Sequence, residues 1–297
     1  MTGPTAVGKT ELALRWAETR SYPVVILSCD SLLVYRGMDI GTAKPSATDR
    51  QRVPHYGIDL VDPSRPFTIV DYVGYARGVI DQCQAEGKTV LITGGSGFYL
   101  KSFFSPVLDP VEVPESVTRV VRNLYRERGL GAMVARVKAL NPDGVGDLAL
   151  QNPRRVMRAL ERCLASGKQL PELQRDFREQ SPPYPDLEKR VCLLMREPES
   201  LKQRIRERVD AMLERGLIEE VQQLRKNGLE SNPSASGSIG YRETLEWLDS
   251  PSTNLGELAE KISHNTRKLM KKQRSWFRHQ IPIDQQMDLD TSGIPEA

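Results

Sequence analysis

The first ten residues of the chain contain a motif that binds phosphate groups. Gly3-Pro-Thr-Ala-Val-Gly-Lys-Thr10 matches the pattern GxxxxGK[ST]. In this motif, backbone N–H groups surround a phosphate, the lysine neutralises its charge and the last hydroxyl binds Mg²⁺. The motif indicates a diphosphate or triphosphate ligand, without indicating that a nucleotide is hydrolysed. The predicted diphosphate-binding residues are Gly3, Pro4, Thr5, Ala6, Val7, Gly8, Lys9 and Thr10, and Thr10 is also the predicted Mg²⁺ ligand.

Two further groups that can do chemistry follow short apolar runs. Residues 23–27 lead to Asp30 and Ser31, and residues 89–93 lead to Gly94-Gly-Ser96-Gly97. Apolar runs of this length are typical of buried strands, and ligands bind at the carboxyl ends of parallel strands. We therefore expect a carboxylate and a hydroxyl beside the phosphate. The carboxylate can act as a proton acceptor, a helix cap or a Mg²⁺ ligand, and the residues alone leave these roles open.

The elements that must position these groups alternate between helix and strand. A helix is expected to open at Lys9, and Thr68 and Asp71 have the spacing of a capping box before a helix that ends near Glu86. Such alternation predicts a parallel sheet. A strand should lead into the phosphate-binding loop, yet only two residues precede it. We interpret this as a start site placed too late, in preference to a shortened chain or a core that tolerates the loss.

The alternation of strand and helix stops near Pro106, where a proline-containing linker begins. Residues 114–185 predict helices with charged faces and no clear strand. Residues 191–195 indicate a return to the sheet, and long amphipathic helices follow to about Gln280. The predicted fold is an α/β, P-loop NTPase-like parallel-sheet core with an inserted all-helical domain and C-terminal helices. The expected divisions are 1–110 for the first part of the core, 111–187 for the insertion and 188–297 for the rest.

Composition excludes several classes of protein. The 297 residues are 39% hydrophobic and 27% charged, which is the balance of a globular chain and excludes a disordered or fibrous one. No apolar run approaches the roughly 18–20 residues that span a bilayer, and no secretory signal is visible. The four cysteines are far apart, which excludes a CxxC pair and fits a reducing compartment. We expect a cytoplasmic monomer without a membrane partner.

Positive charge is concentrated in two segments, although the net charge is only +3. Residues 261–278 hold seven Lys or Arg and no Asp or Glu, and residues 152–164 hold four arginines against Glu161 alone. Helical spacing places the arginines opposite an apolar stripe, so an unpaired, phosphate-binding face is predicted. Residues 261–278 could instead lie on a membrane surface. The residues concerned are Arg154, Arg155, Arg158 and Arg162 in the segment 152–164, and Arg267, Lys271, Arg274 and Arg278 in the segment 261–278.

Seven segments together resemble the signature of bacterial tRNA dimethylallyltransferases, also called tRNA isopentenyltransferases. They occur in that family's order and span nearly the whole chain. Besides the phosphate-binding loop and the histidine-containing segment 54–59, they are Asp30-Ser-Leu-Leu-Val-Tyr-Arg-Gly-Met-Asp-Ile-Gly-Thr-Ala-Lys-Pro45, Gly94-Gly-Ser-Gly-Phe-Tyr-Leu100, Asn152-Pro-Arg-Arg-Val-Met-Arg-Ala-Leu-Glu161, Ser238-Ile-Gly-Tyr-Arg242 and Gln273-Arg-Ser-Trp-Phe-Arg278.

The resemblance implies transfer of a dimethylallyl group from dimethylallyl diphosphate to N6 of adenosine 37 in tRNAs that read codons beginning with U. It assigns Asp30 as the base, Ser96 as a donor to the bridging oxygen and Arg242 as a diphosphate clamp, with Mg²⁺ as the cofactor. The target adenine must leave its stack to reach Asp30. The tRNA anticodon stem-loop is the expected partner, and the expected contact residues are Asp30, Ser31, Leu32, Leu33, Ser96, Arg154, Arg155, Val156, Met157, Arg158, Arg267, Lys271, Arg274 and Arg278.

Three positions depart from the family pattern. Ser96 stands where Thr is common, Leu33 stands where many members have Gln, and Thr118 takes the place of an arginine early in the insertion. Two rival functions share part of the pattern. One is a P-loop small-molecule kinase, which leaves the basic helices unexplained, and the other is a non-catalytic RNA-binding protein with a relic loop. Other motif residues are expected to be structural: Asp39 and Lys44 in shaping a loop, His55, and Trp276 and Phe277 as core anchors.

Overall fold

The computed structural model describes residues 1–291, which form two compact units. One consists of residues 1–104 and 186–291 and the other of residues 105–185. The larger unit contains a parallel sheet with helices around it, and the smaller unit is helical within the same described range. The predicted α/β core with a helical insertion is therefore confirmed. No helix within residues 1–291 is long and apolar enough to cross a membrane.

The sheet of the first part of the chain has three parallel strands in the order β2-β1-β3. They are β1 (Val24–Ser28), β2 (His55–Tyr56) and β3 (Thr89–Thr93), with Ser28 paired to Thr93 at their carboxyl ends. Every residue of β1 is buried, which is typical of a parallel strand covered on both faces. The predicted strand 89–93 is confirmed, and the predicted strand 23–27 lies one residue further along the chain.

This part of the chain has four helices, of which the first and the third begin where the sequence predicts. They are α1 (Lys9–Glu18), α2 (Ala47–Arg52), α3 (Ile69–Ala85) and α4 (Gly97–Lys101). Thr68 and Asp71 form the predicted capping box, in which each side chain accepts from the other residue's backbone N–H. Reciprocal capping satisfies donors that the first turn of a helix cannot pair internally.

Thr2 takes the place of the strand that is expected before the phosphate-binding loop. Its N–H donates to the Cys192 carbonyl at 2.9 Å, its own carbonyl accepts from Leu194 N–H at 2.8 Å, and its hydroxyl donates to the Gly94 carbonyl at 2.9 Å. Isolated parallel bridges pair Thr2 with Gly94 on one side and with Leu193 on the other. One residue thus connects the three-stranded sheet to the second sheet, which joins β4 (Cys192–Met195) in parallel to β5 (Gln285–Asp288).

Helices from the last part of the chain complete the larger unit. They are α8 (Pro198–Glu214), α9 (Leu217–Lys226), α10 (Pro233–Ser236), α11 (Tyr241–Leu248) and α12 (Leu255–Gln280). Leu201 and Ile205 on α8 pack with Met270 of α12 and Leu194 of β4 in one buried cluster. This packing explains the amphipathic pattern that the sequence shows after residue 195.

The smaller unit is built from α5 (Glu115–Leu140), α6 (Pro153–Ser166) and α7 (Leu170–Arg178). Its buried core includes Val121, Val137, Val156, Leu160 and Leu173. The apolar stripe predicted for α6 is confirmed, because Val156, Leu160 and Cys163 are all buried. Gly129, with φ of 69°, interrupts the helical conformation inside α5.

Candidate functional site

A cleft of about 750 Å³ lies in the larger unit, at the carboxyl ends of β1 and β3. Its walls come from the phosphate-binding loop, the segment 41–45, α8, the segment 237–240 and α12. Chemically, it has two parts. The polar lining includes Lys9, Thr10, Asp30, Ser31, Arg204 and Arg208, and the apolar lining includes Leu32, Ile205, Val209, Met212, Ile239 and Ile262.

The phosphate-binding loop turns sharply between Thr2, which pairs with both sheets, and the start of α1. Ala6 and Gly8 have φ of 64° and 108°, and Gly8 is the residue that precedes α1. The Lys9 ammonium donates to the carbonyls of Gly3 at 3.0 Å and Pro4 at 2.9 Å. Burial lowers the pKa of Lys9 to about 8. Thr10 is exposed and lines the cleft, so its hydroxyl can reach a bound ligand.

Side chains from the far end of the sequence hold this loop. Gln273 on α12 accepts from Thr5 N–H at 2.8 Å and donates to the Gly95 carbonyl at 2.9 Å, so it joins the loop to the segment after β3. Arg196 donates to the Val7 carbonyl at 2.9 Å, and Arg204 donates to the Ala6 carbonyl at 2.8 Å. Fixing the carbonyls on one side leaves loop N–H groups other than those of Thr5 and Val7 to face an anion.

Two arginines of α8 add positive charge to the same end of the cleft. Arg204 and Arg208 are four residues apart and therefore lie on one helix face. Arg208 donates to the Thr42 carbonyl at 3.0 Å, which is the single hydrogen bond of its guanidinium among residues 1–291. Burial lowers the pKa of Arg208, and the nearby Asp30 carboxylate opposes that shift. A guanidinium has five N–H donors, so most of those on Arg208 remain for a ligand.

Sequence reasoning missed Gln273, Arg204 and Arg208 as site residues. On sequence alone, α8 reads as an ordinary amphipathic helix, and Gln273 belongs to a motif whose basic residues attract attention first. The usable signal is the i, i+4 pair of arginines that directly precede the apolar residues Ile205 and Val209.

Asp30 and Ser96 lie where the strand pattern places them. One oxygen of Asp30 accepts from Leu32 N–H at 2.9 Å, which fixes the carboxylate at the mouth of β1. The Ser96 hydroxyl accepts from Ser31 N–H at 3.0 Å and lies 3.2 Å from the Ser31 hydroxyl. Asp30, Ser31, Leu32 and Leu33 all line the cleft. The structure thus brings Asp30 and the phosphate-binding loop to one cavity.

Arg242 lies beside the cleft, and its guanidinium points toward the carboxylate of Glu243. Its guanidinium pairs with Glu243 and donates to the Gly237 carbonyl at 3.3 Å. Within residues 1–291, the cleft lining includes Gly237 and Gly240 but not Arg242 itself. The buried Glu243 also accepts from Gly240 N–H at 2.7 Å. This acid therefore competes with a diphosphate for Arg242.

The predicted unpaired face of α6 is wrong for two of its four arginines. Arg162 forms an ion pair with Asp109, although its Nε makes no hydrogen bond within the described residues. Arg158 lies 3.9 Å from Asp109 and 3.6 Å from Glu161. The sequence could not show this, because Asp109 precedes the helix by more than forty residues. Arg154 and Arg155 are exposed and have no side-chain partner among residues 1–291.

The other two residues of the predicted α6 contact set face inward. Val156 is fully buried and Met157 packs partly against the same core. Their side chains stabilise the helix that presents Arg154 and Arg155, so a contact from Val156 to RNA would have to come from its backbone.

The basic segment of α12 has a mixed surface. Arg267 pairs with Glu260 at 2.6 Å, Arg274 is half-buried, and Lys271 and Arg278 are exposed. Phe277 is buried and Trp276 packs against Gly97, so the prediction that these two rings anchor the core is confirmed.

The loop residues that were expected to be structural form a network of ions. The Lys44 ammonium is buried and lies 2.7 Å from Asp39 and 2.6 Å from Asp59, while Arg50 lies 2.7 Å from the other oxygen of Asp59. The loop-shaping role predicted for Asp39 and Lys44 is confirmed. The Nδ1 of His55 donates to the Val53 carbonyl at 2.7 Å, and burial lowers the pKa of His55.

No group of three or more His, Cys, Asp or Glu side chains in the described part of the chain could hold a metal ion. The oxygen ligands that the cleft offers to Mg²⁺ include the Thr10 hydroxyl and the Asp30 carboxylate. Mg²⁺ commonly takes one or two protein oxygens and completes its shell with phosphate oxygens and water. The residues present fit that arrangement.

Comparison with known proteins gives consistent results over nearly the whole chain. Residues 33–280 match the model of the IPP transferase family. The tRNA dimethylallyltransferase of Opitutus terrae is 50% identical over 288 residues, covering 97% of this chain and 92% of that protein. The corresponding protein of Geobacter sulfurreducens is 38% identical over 276 residues, covering 93% and 87%.

Two solved structures share the fold. The full-length tRNA isopentenylpyrophosphate transferase of Bacillus halodurans has a TM-score of 0.68 and 32% identity, covering 97% of this chain and 88% of that one. A eukaryotic dimethylallyltransferase acting on tRNA has a TM-score of 0.82 and 25% identity, covering 98% and 75%.

Proposed function

Because the chain belongs to the IPP transferase family, we infer that it is a tRNA dimethylallyltransferase. It transfers a dimethylallyl group to N6 of adenosine 37 in tRNAs that read codons beginning with U. We propose dimethylallyl diphosphate as the donor. The observation that carries the site assignment is that Asp30, Lys9 and Thr10 line one cleft together with an apolar wall.

The diphosphate of the donor binds at the polar end of this cleft. The loop N–H groups, Lys9 and the two arginines of α8 surround it and stabilise the negative charge that grows on the leaving group. Arg204 and Arg208 are better placed for this role than Arg242, because they line the cleft and Arg242 is paired with Glu243. Mg²⁺, held by Thr10 and the diphosphate, would supply further neutralisation of that charge.

The transfer step forms one bond and breaks another. The N6 lone pair of adenosine attacks C1 of the dimethylallyl group, and the C1–oxygen bond breaks with its electrons going to the diphosphate. The proton leaves N6 for Asp30, whose second oxygen has no hydrogen-bond partner among residues 1–291. Ser96 donates to the bridging oxygen in this proposal, after its hydroxyl turns from Ser31.

The dimethylallyl group needs an apolar wall that also excludes water. Val209, Met212, Ile239 and Ile262 supply it. Met212 follows Arg208 by four residues on the same face of α8, so charge gives way to apolar surface within about one helical turn. A donor lying along this face places its diphosphate at the arginines and its hydrocarbon beyond them.

We propose that tRNA binds through Arg154 and Arg155 of α6 and through Lys271, Arg274 and Arg278 of α12, with Arg158 and Arg267 contributing after they leave their acidic partners. These side chains contact phosphates, and the flipped adenine enters the cleft beside residues 30–33. The residues that line the cleft all belong to the larger unit, which supports our proposal of a monomer, and the tRNA substrate supports our proposal of a cytoplasmic enzyme.

The direct test combines the purified chain with dimethylallyl diphosphate, Mg²⁺ and unmodified tRNA, and then weighs the digested nucleosides. The expected product is adenosine carrying one dimethylallyl group. A protein that is thermally stabilised by ATP but not by dimethylallyl diphosphate, and that leaves the tRNA unmodified, would instead support the kinase.

A further inference from the structure

A carboxylate outside the cleft holds the loop that forms one of the cleft walls. Glu220, on α9, accepts from three consecutive backbone N–H groups, those of Asp39 at 3.0 Å, Ile40 at 2.7 Å and Gly41 at 3.2 Å. The Tyr241 hydroxyl donates a fourth hydrogen bond at 2.7 Å. Successive N–H groups that point at one anion form a backbone nest. Here a side chain of the protein fills it.

The loop and Tyr241 are also fitted to each other by packing. A β-carbon on Gly41 would come within 2.6 Å of the Tyr241 ring, and that ring is fully buried. Burial, and the charge of Glu220, raise the pKa of Tyr241, so its hydroxyl remains a donor at neutral pH. The Lys44 N–H donates to the Asp39 carbonyl at 2.9 Å and closes the turn. Residues 39–44 therefore form one closed turn with Glu220 at its N–H end.

This turn is connected to the polar end of the cleft by Arg208. The Arg208 guanidinium donates to the Thr42 carbonyl at 3.0 Å, and Thr42 lies in the middle of the turn. Residues 41–44 also line the cleft, as Asp30 does on the other side. The place of the Thr42 carbonyl therefore sets the direction in which the remaining N–H groups of Arg208 point.

We propose that Glu220 is a positioning residue for the transfer step, which holds the Thr42 carbonyl and through it the Arg208 guanidinium against the donor diphosphate. The proposal rests on the proposed function, in which Arg208 stabilises the leaving group. Glu220 acts at a distance, since it does not belong to the cleft lining within residues 1–291. A misplacement of about 1 Å in such a group can cost roughly 100-fold in rate.

The first variant is Glu220→Gln in the full chain. A glutamine has one acceptor oxygen and turns an NH₂ group toward N–H and O–H donors, so the turn loses its cap. The expected result is a kcat lowered roughly 10- to 100-fold, with an unchanged Kd for tRNA and normal circular dichroism. The matched control is Glu219→Gln, because Glu219 is the exposed neighbour on the same helix. It should keep the wild-type kcat.

A double-mutant cycle separates positioning from a general structural defect. If Glu220 acts through Arg208, adding Glu220→Gln to Arg208→Lys costs little beyond the loss from Arg208→Lys alone. Losses that multiply would overturn the proposal. Should Glu220→Gln not fold, the same cycle is run with Tyr241→Phe, which removes one hydrogen bond and keeps the ring against Gly41. Multiplying losses there overturn the proposal in the same way.

Two different results distinguish failure of the proposed transfer function from failure of the positioning role of Glu220. A wild-type chain that never transfers the dimethylallyl group defeats the proposed function and this proposal with it. A wild type that transfers normally, together with a Glu220→Gln variant of unchanged kcat, defeats the positioning role alone.

Discussion

The indole ring of Trp276 lies directly against Gly97, so that a β-carbon on residue 97 would come within 2.7 Å of the ring. Trp276 stands on α12, and Gly97 opens α4 immediately after Ser96. The contact joins the C-terminal helix to the segment that follows β3, next to the bridge that Gln273 makes from the same helix. Gly97 is thus a position at which the absence of a side chain allows the Trp276 ring to pack.

Gly97→Ala is expected to destabilise the protein because the rigid indole and the helix that carries it must move. Overpacking of this kind costs about 1–3 kcal/mol. The measurement is the free energy of unfolding in urea. Gly78→Ala is the matched control, because Gly78 lies in α3 with no atom within 4 Å of an added β-carbon. The control should be stabilised by about 0.5–1 kcal/mol, and the same gain at position 97 would contradict the packing argument.

Asp30→Asn should abolish most of the transfer while leaving tRNA binding intact. The amide oxygen can still accept from Leu32 N–H, so the local turn survives, but an amide does not take up the N6 proton. Loss of a positioned base lowers the rate by about 10²- to 10⁴-fold. Single-turnover transfer and a tRNA binding titration measure the two effects. The exposed Asp81→Asn is the control, and an Asp30→Asn enzyme of normal rate would remove the base assignment.

Replacing Arg154 and Arg155 together by alanine should weaken tRNA binding with little change in stability. Both side chains are exposed and unpaired within residues 1–291. If each contacts a phosphate, the slope of log K against log salt becomes shallower by about 1 per residue. Binding titrations at several salt concentrations measure this slope, and an unaltered slope would rule these contacts out.

Arg162→Ala is expected to behave in the opposite way. It leaves the half-buried Asp109 without its closest cation, so it should lower the free energy of unfolding by about 1–3 kcal/mol. Its direct effect on the salt slope should be small. Equal salt slopes for Arg162→Ala and for the Arg154, Arg155 double variant would show that pairing in the free protein does not decide which arginines bind RNA.

Binding of the donor should take up protons near pH 8. Burial lowers the pKa of Lys9 to about 8, so part of the free protein carries a neutral lysine at that pH. A bound diphosphate favours the ammonium, which raises the Lys9 pKa and makes affinity fall as pH rises above about 8. Calorimetric titration with dimethylallyl diphosphate, in two buffers of different ionisation enthalpy, counts the protons. Lys9→Met corrects for protons bound by the ligand, and equal uptake by both proteins would refute the linkage.

The local features of the fold could be predicted from sequence because their causes are local. The helix start at Lys9, the capping box of Thr68 and Asp71, and the strand 89–93 each depend on a few neighbouring residues. The same holds for the phosphate-binding loop, whose glycine spacing sets its backbone. These features place Asp30 and the loop at one edge of a parallel sheet without further information.

Charge pairing was much harder to predict. Arg162 meets Asp109 and Arg267 meets Glu260, and neither partner lies within the basic segment that the sequence singles out. Arg242 illustrates the same difficulty, because the motif fixes its position while Glu243 fixes the direction of its guanidinium.

The sequence by itself determined the chemistry available to this protein: a loop for diphosphate, a carboxylate at a strand end, and two basic helices. Only the tertiary structure decided which side chains complete the site. Four side chains reach the loops they hold across 166 residues or more of chain, through hydrogen bonds to backbone groups: Arg204, Arg208, Gln273 and Glu220. A backbone carbonyl or N–H is present at every position, so no residue pattern marks which of them a distant side chain will bind.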